Sequence, residues 1–239
     1  MKRLASLVAQ YALPPGAEGA LGVLLDALAG EHSPTTVRDT VAAVDVHIAD
    51  ALTGLEVPAL REAATIADLA AGAGIPGLVL AAALPAAHVY LVESVSRKAE
   101  WAQQTAREMG LENVEAIPLR AEEWQAGRNH CAAVTARALA SLPVVCEYAA
   151  PLLRDGGTLV AWKGAAEEAE LRDGVAAAGQ LGLEPSGVIR TRPYAQSRDH
   201  TLHLYSKVRP TPDRFPRRAG MATKRPLSAD KHPRVEPEL

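Results

Sequence analysis

The sequence predicts an α/β fold in which a mostly parallel, seven-stranded sheet ends in an antiparallel hairpin and follows a set of N-terminal helices. Two observations lead to this prediction. From residue 64 onward, short apolar runs alternate with helical stretches, the order that builds a parallel sheet with helices on both faces. Near the end, two strand-like runs are separated only by residues 193–198. Because a parallel crossover needs about a dozen residues, these two runs must pair antiparallel.

Length and composition agree with such a fold. The chain has 239 residues, of which 48% are hydrophobic and 22% charged, enough for one substantial domain with appendages or for two small ones. Changes in texture along the chain divide it into an N-terminal helical subdomain (1–60), an α/β domain (61–208) and a basic, Pro-rich tail (209–239).

The first residues predict an amphipathic helix. Lys2 before an apolar stretch is also a feature of signal peptides, but Leu4, Leu7, Val8 and Tyr11 recur at helical spacing. Elsewhere the apolar runs are shorter than the roughly 18 residues of a membrane span. These features predict a cytoplasmic protein.

Two cysteines, Cys131 and Cys146, are too few for a disulfide framework or a zinc site. Both lie among apolar residues, which predicts small buried side chains rather than nucleophiles. No metal is therefore expected.

The stretch from residue 34 to residue 52 predicts one helix packed on another element, because four apolar residues share a face: Val37, Val41, Val44 and Ile48. His47 and Asp50 lie one turn apart on it. They are either a surface pair or a satisfied polar contact where this helix meets the rest of the protein.

The elements of the α/β domain follow from the alternation. Strands are predicted at 64–69, 87–93, 113–119, 130–135, 157–162, 186–192 and 199–206. Helices are predicted at 76–83, at 94–109, at 141–153 and after residue 164.

A glycine-rich loop, Asp68–Gly77, follows the first predicted strand and opens a helix, with the G-x-G-x-x-G spacing at Gly72, Gly74 and Gly77. Glycines let the backbone turn sharply and approach a nucleotide cofactor, and the helix start offers free N–H groups. Glu93 ends the second strand, where a carboxylate can accept hydrogen bonds from ribose hydroxyls. This position serves NAD and S-adenosylmethionine equally.

Two features favour S-adenosylmethionine. Glu122 follows the third strand at the turn where methyltransferases hold the adenine, although Glu122 and Glu123 also suit a capped, exposed helix start. The antiparallel hairpin is the ending expected of class I methyltransferases, whereas a nicotinamide-binding Rossmann sheet is parallel throughout. Together with Asp68, they predict a class I S-adenosylmethionine-dependent methyltransferase.

The segment after the fourth strand, residues 134–142, limits the acceptor. It has neither the Asn/Asp-Pro-Pro-aromatic turn of enzymes that methylate exocyclic amines nor the cysteine of those that methylate cytosine C5. An acceptor with its own lone pair, such as N7 of guanine, needs neither because it loses no proton before attack. Such a site works mainly by positioning and electrostatics.

Short motifs recur along nearly the whole chain in a fixed order. They are TTVRD at 35–39, HIAD at 47–50, the loop at 68–77, ESVSRK at 93–98, ENVE at 112–115, RAEE at 120–123, TARA at 135–138, WKG at 162–164, RDH at 198–200 and FPRRAG at 215–220. Together they resemble the bacterial 16S ribosomal RNA guanine-N7 methyltransferases, the GidB family or ribosomal RNA small subunit methyltransferase G. That family usually has glycine at the position of Ala70.

The resemblance implies methyl transfer from S-adenosylmethionine to N7 of a guanosine near the decoding centre, with 16S ribosomal RNA or the small subunit as partner. The cofactor-binding residues that it implies are Asp68, Ala70, Gly72, Gly74, Ile75, Glu93, Ala121, Glu122 and Arg137. Arg137 is also the implied catalytic residue, beside the cofactor and facing the RNA. The implied RNA contacts are Lys163, Arg198, Arg217 and Arg218, each of which could instead be an ordinary surface ion pair.

The tail and the aromatic residues bear on the substrate. Residues 209–239 hold eight basic and four acidic side chains, which fits either a solvated terminus or an arm for a polyanion. Aromatic residues are scarce, and the nearest candidates to stack on a base are Trp124, Trp162, Tyr194 and Phe215. The alternatives are a methyltransferase for another RNA, a protein or a small molecule, a nicotinamide oxidoreductase, and a catalytically silent RNA-binding relative.

Overall fold

The structure, a computed structural model, describes residues 2–229. Its strands are β1 (Thr65–Leu69), β2 (His88–Val92), β3 (Val114–Ile117), β4 (Cys131–Arg137), β5 (Leu153–Lys163), β6 (Leu183–Thr191) and β7 (His200–Lys207). Its α-helices are α1 (Lys2–Gln10), α2 (Ala17–Ala29), α3 (Thr40–Ala43), α4 (Asp50–Leu52), α5 (Pro58–Arg61), α6 (Gly77–Ala83), α7 (Ser96–Glu108), α8 (Leu142–Ala149), α9 (Glu168–Leu181) and α10 (Met221–Lys224).

The strands form one seven-stranded sheet in the order β3-β2-β1-β4-β5-β7-β6. The neighbouring pairs from β3 to β5 are parallel, and β7 runs antiparallel to both β5 and β6. The predicted fold class is therefore confirmed, including the hairpin at the C-terminal end. The carboxyl ends of β1 to β5 meet at one edge, which is where an α/β sheet of this kind binds its ligands.

Two apolar clusters cover the two faces of the sheet. One contains the apolar faces of α1, α2 and α6, with Leu21, Ile48 and Val89 among its fully buried members. The other contains α8 and α9 and both cysteines, which are fully buried as predicted. The N-terminal helices thus pack on the same sheet face as α6. The domain boundaries at residues 60 and 208 stay predictions.

The prediction of one helix from residue 34 to residue 52 is wrong in extent. The helix begins at Thr40, because the Asp39 carboxylate accepts a hydrogen bond from Ala42 N at 2.8 Å and caps it. It widens into a π-helical turn between Val44 and Ala49, which changes the direction of the residues that follow. Val41 is 78% exposed, whereas Val44 and Ile48 are buried, so the four apolar residues do not share one buried face.

Several other boundaries differ from the predictions. β5 begins at Leu153 rather than at residue 157, β6 at Leu183 rather than at residue 186, and α7 at Ser96 rather than at residue 94. The predicted helix at 141–153 ends at Ala149, because Leu153 already belongs to β5 and pairs with β4 across a bulge. The first helix of the α/β domain begins at Gly77, one residue later than expected. None of the helices between residues 2 and 229 is long and apolar enough to cross a membrane.

Candidate cofactor and RNA site

A buried carboxylate, Asp68, holds the far end of the loop that joins β1 to α6. Asp68 Oδ2 accepts a hydrogen bond from Gly77 N and Oδ1 accepts one from Thr135 Oγ1, each at 2.9 Å. These bonds fix the far end of the loop and tie it to β4. A Cβ on Gly77 would lie 2.3 Å from a Leu91 methyl carbon, so only glycine lets the helix start approach the sheet this closely.

Three residues of this loop adopt the left-handed conformation: Ala70, Gly72 and Gly74, with φ of 51°, 56° and 71°. Glycine carries no steric cost there, whereas alanine does. Ala70 therefore occupies a position that favours glycine. Glycine is also the residue that the resembled family usually has at this position. The backbone path of the loop is kept in spite of the extra methyl group.

Burial raises the pKa of Asp68 from 3.8 to about 7. A carboxyl group that is protonated more easily in the fold stabilises it fully below about pH 4, and this contribution is lost as the pH rises through about 7. Asp68→Asn keeps both hydrogen bonds, with its amide donating to Thr135. At each pH, the free energy of unfolding of the native protein is compared with that of Asp68→Asn. We expect this difference to fall by up to about 4 kcal/mol between about pH 4 and pH 8. Urea denaturation at several pH values measures this, and a constant difference would contradict it.

Glu93 connects the glycine loop to the end of β2. Its carboxylate is 5% exposed and accepts hydrogen bonds from Gly72 N at 3.0 Å and Val95 N at 2.8 Å. Each carboxylate oxygen has a second lone pair, so Glu93 can still accept the hydrogen bonds of a ribose. The predicted role of Glu93 in binding the ribose stays a prediction. The structure shows a second role, which is to hold the glycine loop through Gly72 N.

A cavity of about 220 Å³ lies beyond the carboxyl ends of β1 to β4. It is lined by Leu69, Ala70, Val92, Ser94, Leu119, Arg120, Ala121, Glu122, Leu139, Ala140, Tyr148 and Thr223. A lining that combines aliphatic side chains with polar groups, among them the Glu122 carboxylate, fits a purine ring that carries an amino group. Three predicted cofactor residues (Ala70, Ala121 and Glu122) line this cavity. Ile75, a residue of the loop itself, is 6% exposed and does not line this cavity.

A second cavity, of about 380 Å³, adjoins the first at Ala140, which lines both. Its other lining residues are Val46, Asp50, Arg137, Ala138, Trp162, Lys163, Gly164, Tyr194, His200 and Thr201. We call it the acceptor cavity. It contains the predicted catalytic Arg137 and the predicted RNA contact Lys163.

Arg137 ends β4 and is 18% exposed in its side chain. Its Nη1 donates to Asp50 Oδ2 and to Val46 O, both at 2.9 Å, and its Nη2 lies 3.1 Å from His47 Nδ1. The N-terminal helical segment therefore orients the guanidinium. His47 and Asp50, 6% and 5% exposed, form the buried polar contact that was one of the two sequence alternatives.

His47 is held neutral. Burial and the nearby Arg137 lower its pKa from 6.5 to about 4. Since a guanidinium only donates, His47 Nδ1 must accept from Arg137, and Nε2 carries the proton that it shares with Thr35 Oγ1 at 3.1 Å. The hydrogen bond to Thr35 thus fixes the orientation of the imidazole ring, and the ring in turn helps to orient Arg137.

Asp50 joins three elements. Its Oδ1 lies 3.0 Å from His200 Nδ1 on β7, while Oδ2 binds Arg137. Its backbone carbonyl accepts from Trp162 Nε1 at 3.0 Å. Asp50 therefore connects β4, β5 and β7 at the acceptor cavity. The sequence alone had left the role of Asp50 open.

The predicted RNA contacts lie in two environments. Lys163 is 18% exposed and pairs with Glu170 at 2.6 Å. Arg217 pairs with Glu147, whereas Arg198 and Arg218 are exposed and make no ion pair within residues 2–229. All four roles in RNA binding stay predictions.

A third depression, of about 660 Å³, shares Gly164, His200 and Thr201 with the acceptor cavity. Arg190, Arg192 and Arg198 line it together with Asp199. The three arginines are exposed and form no ion pair in the described part of the chain. We call this the arginine groove. The sequence-based prediction of RNA contacts did not include Arg190 and Arg192. Their alternation along the strand predicted at 186–192 was the available signal, because alternate residues on a strand share a face.

Of the four aromatic residues considered for stacking, three are buried: Trp124, Trp162 and Phe215, at 4–6% exposure. Tyr194 is partly exposed, lines the acceptor cavity and packs edge-on against His200, with ring centroids 5.8 Å apart. Among residues 2–229, no group of three or more His, Cys, Asp or Glu side chains could hold a metal ion.

The sheet order and the position of the cavity define a class I methyltransferase fold. Similar solved structures are a pre-rRNA processing protein, fibrillarin, from Methanococcus jannaschii (17% identity, 67% of this chain and 74% of that chain, TM-score 0.52) and precorrin-6y C5,15-methyltransferase from Geobacter metallireducens (14% identity, 67% and 86%, TM-score 0.50). At these identities, the similarity concerns the fold.

Residues 24–192 match the family described as GidB, rRNA small subunit methyltransferase G. Two relatives named ribosomal RNA small subunit methyltransferase G come from Rubrobacter xylanophilus (41% identity, 76% of this chain and 72% of the relative) and Deinococcus deserti (37%, 87% and 86%). The chain belongs to this family of S-adenosylmethionine-dependent methyltransferases, as the resemblance had predicted.

Proposed function

We propose that the protein transfers the methyl group of S-adenosylmethionine to N7 of a guanosine near the decoding centre of 16S ribosomal RNA, in the cytoplasm. The observation that supports it best is the meeting of the two cavities at Ala140. The cofactor would occupy the cavity between Ala70 and Glu122, and the guanine would enter the acceptor cavity beside Arg137.

The chemistry asks little of the chain beyond positioning. The cofactor supplies a methyl group on a positively charged sulfur. The N7 lone pair forms the new N–C bond while the C–S electrons move to sulfur, and no proton is transferred. A site for this reaction aligns the two reactants and adapts to the positive charge that moves to the base.

Arg137 and Asp50 suit these two tasks. The Arg137 contacts use both Nη1 protons and one Nη2 proton, which leaves Nε–H and one Nη2–H for a ligand. Guanine presents O6 and N7 as acceptors on one edge, so donation to O6 would hold the base and leave N7 free to react. The Asp50 carboxylate offsets the charge of Arg137 while the base becomes cationic.

The arginine groove favours RNA over a small-molecule acceptor. It continues the acceptor cavity and carries three exposed guanidinium groups, which suit the phosphates that flank a target nucleotide. A small acceptor would need only the acceptor cavity. Lys163 lines the adjoining acceptor cavity and extends this basic surface, where RNA would compete with Glu170 for its ammonium group. Arg218 is exposed on the C-terminal segment, and its contact with RNA stays a prediction.

Tyr194→Ala tests whether the base stacks in the acceptor cavity. We expect kcat/KM for RNA to fall about 10- to 100-fold, because stacking of one base on an aromatic ring contributes roughly 1–3 kcal/mol. The cofactor dissociation constant is expected to stay the same. Steady-state methylation and calorimetry measure the two quantities. The matched control is Tyr194→Phe, which keeps the ring, and an equal loss in both variants would contradict stacking.

The proposed function is tested by methyl mapping. The protein is incubated with isotopically labelled S-adenosylmethionine and with small subunits, or their naked RNA, from cells that lack the modification. We expect label in one 7-methylguanosine near the decoding centre in at least one of the two substrates. Label at another atom or in another RNA, or no label in either substrate, would overturn the proposal.

A further inference from the structure

The C-terminal segment Phe215–Thr223 lies against the cofactor cavity and lines no part of the arginine groove. Phe215 and Ala222 are 4% and 2% exposed and belong to the apolar cluster of α8 and α9. Helix α10 packs on α8. The described part of the tail is therefore packed on the domain rather than projecting from it.

A buried ion pair anchors this segment. Glu147 on α8 is 1% exposed in its side chain, and it accepts from Arg217 Nε at 2.8 Å and from Arg217 Nη2 at 2.5 Å. Arg217 Nη2 also donates to Arg225 O at 2.9 Å. A bidentate pair of this kind fixes direction as well as distance. It therefore sets where the residues after Arg217 lie.

Those residues reach the cavity itself. Gly220 N donates to Glu122 Oε1 at 3.0 Å, and Thr223 Oγ1 lies 3.0 Å from Tyr148 Oη. Glu122, Tyr148 and Thr223 all line the cofactor cavity. Gly220 has φ of 79°, a conformation that favours glycine and turns the chain at this contact. The tail thus supplies one lining residue of the cavity, Thr223, and holds one oxygen of the Glu122 carboxylate.

We propose that the segment Arg217–Thr223 is part of the cofactor site and closes the end that holds the adenosine. This inference rests on the proposed function only in taking the cavity beside Glu122 as the S-adenosylmethionine site. Glu122 keeps its second oxygen for the adenine amino group, and Gly220 sets the direction of that oxygen. Cofactor binding and the docking of the tail stabilise each other, since a coupling between two events is reciprocal.

Thr223→Trp tests the contribution of this lining residue directly. An indole at this position fills part of the cavity, so we expect the dissociation constant for S-adenosylhomocysteine to rise at least about tenfold. Lys224→Trp is the matched control, because it adds the same side chain at a residue that does not line the cavity. We expect its dissociation constant to stay within about twofold of the native value. Calorimetry measures both, and melting temperatures confirm that both variants fold.

Two results overturn the inference. One is equal cofactor affinity of Thr223→Trp and Lys224→Trp. The other comes from hydrogen exchange of the native protein, if saturating S-adenosylhomocysteine protects the loop at 70–77 and leaves residues 217–225 unchanged. The expected result is slower exchange in both segments. A native protein that binds no cofactor would instead contradict the proposed function, so the two failures are distinguishable.

Discussion

Replacing Arg137 with alanine lowers kcat for RNA methylation by about 10²- to 10³-fold, the loss typical of removing one fixed donor from a reaction site. The resemblance also implied a cofactor contact for Arg137, but this residue lines the acceptor cavity rather than the cofactor cavity. We therefore expect the cofactor dissociation constant to change little. The variant also leaves Asp50 buried with His200 as its remaining side-chain partner. Single-turnover methylation with saturating RNA and cofactor measures the effect on the chemical step.

Two comparison variants separate chemistry from charge. Arg137→Lys keeps the positive charge but loses the planar fork that contacts Asp50 and His47 together, so it is expected to recover only part of the rate. Arg107→Ala removes an exposed arginine of α7 outside both cavities and is expected to be fully active. Native turnover in Arg137→Ala would refute its role.

Replacing Arg217 with alanine lowers the free energy of unfolding by about 3–5 kcal/mol, because the Glu147 carboxylate is then left buried without its partner. Arg218→Ala, the neighbouring residue, is exposed and expected to cost less than about 0.5 kcal/mol. Urea denaturation of the two variants under the same conditions measures this difference. Adjacent arginines thus form a matched pair, one structural and one on the surface.

A double variant tests the cause. Glu147→Gln combined with Arg217→Ala removes the buried charge along with its partner, and we expect it to recover much of the lost stability. Equal stability of Arg217→Ala and Arg218→Ala would contradict the structural role of Arg217. Equal losses of RNA affinity in the two single variants would favour the sequence-based interpretation of both as RNA contacts.

The fold was predictable because its signals are local. The short connection between the last two strands is enough to determine their antiparallel pairing. The glycine spacing determines the loop after β1, and the positive φ of Gly72 and Gly74 explains why those positions carry glycine. By contrast, the start of the helix at Thr40 depends on the Asp39 cap and the π-helical turn, which apolar spacing does not reveal.

The site was predictable only in part, because partners distant in sequence determine what a charged residue does. Arg217 and Glu147 are 70 residues apart, and the basic composition of the tail indicates a polyanion equally well. A lone glutamate among the apolar residues of α8 was the available signal, since a buried carboxylate needs a partner. The sequence predicts a role for Arg137, which stays a prediction, but the orientation of its side chain by Asp50 and His47 requires the fold.

One placement is central to the proposed reaction: the adenosine lies between Ala70 and Glu122, with the reactive sulfur directed toward the cavity of Arg137. A crystal structure with S-adenosylhomocysteine tests it most directly. We expect electron density for the adenine beside Glu122 and Thr223, and for the sulfur near Ala140, where the two cavities meet. Density for the ligand elsewhere on the molecule, or none at saturating concentration, would contradict it.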